Sequence, residues 1–94
     1  MALYTNANSP KWIKAFTVDA GSVSANSYLD VNLSTTFKPA KVNDMFIVFA
    51  PSLDGGLIIS PGIVSTAGTV TARINNVTGS PINPASQVYI AVCL

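Results

Sequence analysis

Two stretches of this chain alternate apolar and polar residues at every step. In YLDVNLS, residues 28–34, Leu29, Val31 and Leu33 point one way and Asp30, Asn32 and Ser34 the other. In GTVTARI, residues 68–74, Val70, Ala72 and Ile74 oppose Thr69, Thr71 and Arg73. A period of two marks a strand with one face in a core and the other in water. No long stretch carries apolar residues at three-and-four spacing, so very little helix is expected.

The remaining β-favouring runs are less clearly two-sided. KWIKAFTV, residues 11–18, puts Trp12, Lys14, Phe16 and Val18 on one face and Ile13, Ala15 and Thr17 on the other, neither cleanly polar. MFIVFA, residues 45–50, is continuous and predicts a central strand buried on both faces. LIIS and IVS, residues 57–60 and 63–65, read as short strands, and QVYIAVCL, residues 87–94, as one locked centrally in a sheet.

Turn chemistry separates these runs: Asn43-Asp44 after Pro39, then Pro51 and Asp54-Gly55-Gly56, then Pro61-Gly62. NNVTGSPINPAS, residues 75–86, is longer than a tight hairpin needs. Pro81 and Pro84 remove two backbone donors and push Ser80 and Asn83 away from helical conformations, so the segment is expected neither to continue the preceding strand nor to pair as a new one, and to cross between sheets or over a barrel end. The pattern predicts an all-β fold: a small antiparallel β-sandwich or barrel, jelly-roll-like or Greek key, with residues 11–94 as a single domain and residues 1–10 as an N-terminal arm.

A chain of 94 residues makes one marginal core, and chains of this size commonly add disulfides, metals or partner subunits. With one cysteine and no histidine, neither a disulfide nor a zinc, copper or haem ligand set is expected. Association is the remaining device, and a homo-oligomer is expected. Charged residues make up only 10% of the chain, against about 25% in ordinary domains, so much of the surface must be uncharged.

A net charge of +1 offers no footprint for nucleic acid. The longest apolar run is far shorter than a bilayer span, and no membrane partner is expected. The start of the chain lacks the basic and apolar regions of a secretory signal, so synthesis in a cytoplasm is expected.

No catalytic constellation is legible. Histidine and glutamate are absent, and Asp19, Asp30, Asp44 and Asp54 read as solvated residues of turns or outward strand positions. The chain is expected to be neither an enzyme nor a cofactor protein. Cys93 reads as a buried, inert thiol, and Arg73 as a solvated charge. Asn32-Leu33-Ser34 and Asn76-Val77-Thr78 match the glycosylation acceptor pattern by composition only and are given no role. Trp12 and Phe16, sharing a face with Lys14, are candidate interface residues, since aromatics are enriched at interface centres.

VND at 42–44, PSLDGGLIIS at 51–60, TVTARI and above all NNVTGSPINPASQVYIAV at 75–92 resemble small structural proteins of tailed bacteriophages. That group shows "KVGD…V" turns, a "PSL…GL" segment and a "NVT…PIDPAS…Y" approach to the last strand. The likeness runs from residue 41 to 94, with Asn83 standing where the group has Asp. It implies a virion protein made in the host cytoplasm: a capsid decoration or cement protein, trimeric by analogy, that binds the major capsid protein or another virion protein and stabilises capsomer junctions. Tyr4, Trp12, Phe16, Pro81, Ile82 and Pro84 are then the candidate interface residues. The alternative is a fibre or tail accessory module that binds another virion protein or a host glycan, with Tyr4, Trp12, Tyr28 and Tyr89 as stacking platforms.

Overall fold

The computed structural model describes residues 10–94. Seven strands make up the regular structure of these residues: β1 (Trp12–Val18), β2 (Ser27–Ser34), β3 (Met45–Phe49), β4 (Leu57–Ser60), β5 (Gly62–Ile63), β6 (Val70–Asn76) and β7 (Gln87–Cys93). They form two antiparallel sheets, ordered β1-β7-β3-β5 and β2-β6-β4. The expected all-β sandwich is therefore present. Tyr4 lies outside the described residues, as does all of the expected N-terminal arm except Pro10.

Every odd-numbered strand lies in one sheet and every even-numbered strand in the other, so each connection crosses the sandwich. The pairings β1 with β7, β2 with β6 and β3 with β5 are those of one long ribbon folded back on itself with β4 at its tip. Rolling that ribbon adds the pairings of β7 with β3 and of β6 with β4. This is jelly-roll topology in its essentials.

The two alternating stretches take the positions their patterns dictate. Val31, Leu33, Val70, Ala72 and Ile74 are buried between the sheets. The opposing sheet contributes Trp12, Phe46, Tyr89, Ala91 and Cys93. Gly62 is required where it stands, because a Cβ there would lie 2.5 Å from Cζ of Phe46. Asn43 adopts φ 75°, the left-handed conformation that asparagine tolerates better than most residues.

Three expectations are corrected. The strand read as IVS is the two-residue β5, Gly62–Ile63. β3 is not buried on both faces, since Met45 and Phe49 are exposed. The crossing segment does pass from one sheet to the other, yet Ile82 forms a one-residue antiparallel bridge with Val23 on the way.

Two buried polar atoms on the inner face of β7, Gln87 Oε1 and the Tyr89 hydroxyl, have no hydrogen-bond partner among the described residues. Burial, followed by the charges of Asp19 and Asp54, raises the pKa of the Tyr89 phenol. An unpartnered buried hydroxyl bears its desolvation cost without return. Tyr89→Phe is therefore expected to stabilise the domain by about 1 kcal/mol in urea unfolding, and a loss of that size would mean that the hydroxyl has a partner.

Candidate functional site

On the four-stranded sheet, the side facing away from the core is as apolar as the side facing it. Cross-strand register places Ile13 beside Val92 and Val92 beside Ile47, then Ala15 beside Ile90 and Ile90 beside Phe49, with Thr17 beside Val88. Met45 pairs with Ile63, and the amide of Leu94 donates to the Met45 carbonyl at 2.9 Å, extending the surface at one end. No outward-facing position of these strands carries an ionisable side chain. Ile13, Met45, Phe49, Ile63, Val88 and Leu94 are 41–62% exposed. Their combined exposed area is roughly 700 Å², above the ~300–600 Å² of the largest patch on a typical monomer.

The other outer face is wet. Arg73 donates to Asp30 through Nε at 2.8 Å and Nη2 at 3.0 Å, and its guanidinium carbon lies 3.9 Å from the centre of the Tyr28 ring. The Thr71 hydroxyl donates to Asn32 Oδ1 at 2.7 Å, and Asn75 Nδ2 donates to Ser60 Oγ at 2.7 Å. The hydrogen bonds from Arg73 hold Asp30 below the usual carboxylate range, and Asp30 raises the guanidinium in turn. Arg73 is solvated as expected, with its side chain 48% exposed, but it is also paired within the chain, and solvent screening at a half-exposed pair keeps that contribution small.

The residues expected to form an interface are not gathered on one surface. Trp12 is buried against Phe37 at 5.1 Å and Phe46 at 6.1 Å between ring centres. Phe16 is half-buried, edge-on to Phe37 at 5.6 Å. Pro84 is fully buried and Ile82 packs partly into the core, leaving Pro81 exposed. Trp12 and Pro84 therefore serve the core rather than an outer surface. The outward residues of the first strand are Ile13, Ala15 and Thr17, the face that carries no lysine.

Asp44, expected as a solvated turn residue, is buried. Its Oδ2 accepts from the Trp12 indole at 3.0 Å and from the Lys41 amide at 3.0 Å, while Lys11 Nζ lies 3.5 Å from Oδ1. The Trp12 bond first, then the Lys41 amide and the Lys11 charge, hold its carboxyl below the usual range. Cys93 is buried as expected, and burial raises its thiol pKa. Among the described residues, no three His, Cys, Asp or Glu side chains lie close enough together to hold a metal ion.

Asn76 has a role that sequence reasoning missed. Its Nδ2 donates to the carbonyls of Val23 at 3.0 Å and Ser80 at 2.8 Å. Its Oδ1 accepts from the Thr78 amide at 2.9 Å and the Thr78 hydroxyl at 2.7 Å. The side chain thus fixes the start of the crossing segment and ties it to the chain before β2. The Asn-Val-Thr spacing that matches a glycosylation acceptor is also that of an Asx-turn, and this was the available signal.

No family model, curated protein or solved structure matches the chain.

Proposed function

We propose that this protein is a structural adhesion subunit of a tailed-phage virion, a capsid decoration or cement protein that reinforces capsomer junctions on the shell. The observation that carries the reading is the sandwich's asymmetry, with one outer face polar and internally hydrogen-bonded and the other apolar and uncharged over four strands. Exposed apolar surfaces of that size mark interaction sites, and we read this one as buried in an assembly. The sequence resemblance supplies the kind of assembly, a virion, within which the protein binds the major capsid protein or another virion protein.

The glycan-binding alternative loses two of its four platforms, with Tyr4 outside the described residues and Tyr28 still half-exposed. Trp12 and Tyr89 are buried, and Arg73 covers one side of the Tyr28 ring. A sugar stacks on an open aromatic face, and such faces are scarce among the described residues.

The experiment is to add purified protein to shells assembled without it. Saturable binding at hundreds of copies per particle, with a rise in the temperature at which the shells come apart, is the expected result. Absence of binding, or occupancy by a handful of copies at the tail, would overturn the proposal.

A further inference from the structure

We propose that the occupant of the apolar face is a second copy of this chain, packed face to face across a two-fold axis. The inference builds on that face being covered in an assembly, but it does not depend on which particle the protein belongs to. Complete coverage of two such faces removes at most on the order of 1,400 Å² from water, within the ~1,200–2,000 Å² of a stable interface.

The chemistry of the face favours a copy over a foreign partner. It presents Ile13, Met45, Ile47, Phe49, Ile90 and Val92, with no ionisable side chain to select an oppositely charged surface. Interfaces between identical subunits are the more apolar kind, and specificity for a different protein usually enlists charge or buried polar groups. A surface without outward ionisable side chains opposes its own image with little repulsion. Stacked sheets about 10 Å apart interdigitate side chains of this kind.

The rest of the sandwich closes the assembly at two. The opposite face carries the Asp30–Arg73 pair and its polar neighbours, so it offers no second apolar surface for a further copy. The sheet edges are blunted as well. Lys14 lies on edge strand β1 at a core-side position, β5 is two residues long and follows Pro61, β4 is four residues long and runs into the same proline, and the pairing of β2 shifts register between Asn32 and Ser34. A charge, a proline, a very short strand and a register shift each discourage edge-to-edge pairing. Sheet stacking is what remains.

The test is sedimentation of the full chain from 1 to 100 μM, alongside Phe49→Lys and Ile13→Lys on the apolar face and Ile58→Lys, an exposed position on the other sheet, as control. The wild type and Ile58→Lys are expected to be dimers. The two apolar-face variants are expected to be folded monomers by circular dichroism, with the dimer dissociation constant raised at least a hundredfold. A monomeric wild type would overturn the inference, as would a trimer or a dimer indifferent to both substitutions. If a monomeric wild type bound shells and Phe49→Lys did not, the face would belong to a shell protein. The virion proposal would then survive while the pairing of copies failed.

Discussion

Asn76→Asp is expected to cost about 3–5 kcal/mol, a large part of the ~5–15 kcal/mol that holds a domain of this kind folded. The asparagine is buried and uses both of its donors and its acceptor oxygen. An aspartate keeps the bonds from Thr78 but turns a second oxygen toward the Val23 and Ser80 carbonyls. Two attractive contacts become repulsive, and a buried charge is added without a counter-charge. The damage extends beyond the loop, because the chain around Val23 is held to it by the paired bonds with Ile82, at 2.8 and 3.0 Å.

Asn75→Asp is the control. Asn75 lies one residue away on the wet face, where its amide reaches Ser60 Oγ and the Ile58 carbonyl. Water can replace those partners, and a cost below about 1 kcal/mol is expected. Urea unfolding of the two variants measures the difference. Equal losses would show that the Asn76 bonds do not organise the crossing.

The strands that could be read with certainty are those touching two different solvents. YLDVNLS and TVTARI declare both faces because one meets water and the other meets the core. MFIVFA and QVYIAVCL say only that neither face is designed for water. An apolar face buried within the chain and one left on its surface have the same sequence, so β3 reads as buried on both sides when Met45 and Phe49 are exposed.

Lys14 misled in a different way. It marks Trp12 and Phe16 as a solvent-facing side, but on an edge strand a lysine at a core-side position can reach water past the rim of the sheet. Strand order was beyond reach, since alternation fixes which side a residue faces and not which strand lies beside it. Asp44 and Asn76 were hidden for a related reason. Asp44 receives the indole of Trp12 from 32 residues away, and Asn76 reaches Val23 across 53.

Trp12→Ala is expected to cost about 3–5 kcal/mol, the usual loss for a large aromatic removed from a core. The more informative variant is Trp12→Phe, which keeps a ring against Phe37 and Phe46 but removes the indole N–H from Asp44. Asp44 is held below its ordinary value of 3.8, with that bond as the largest cause. A carboxylate depressed in the folded state contributes stability that is present above its unfolded pKa and lost as pH falls through the folded one. In the wild type, Tm is therefore expected to start falling as pH approaches 3.8 and to keep falling below it. In Trp12→Phe the folded pKa moves back toward the unfolded value, so Tm is lower at neutral pH but declines less steeply in acid. Asp44→Asn flattens the same limb by removing the titrating group, leaving the smaller acid sensitivity of the exposed Asp30–Arg73 pair. Thermal unfolding between pH 7 and pH 2 tests this directly. If the Trp12→Phe curve runs parallel to wild type across that range, the indole is not what keeps Asp44 ionised.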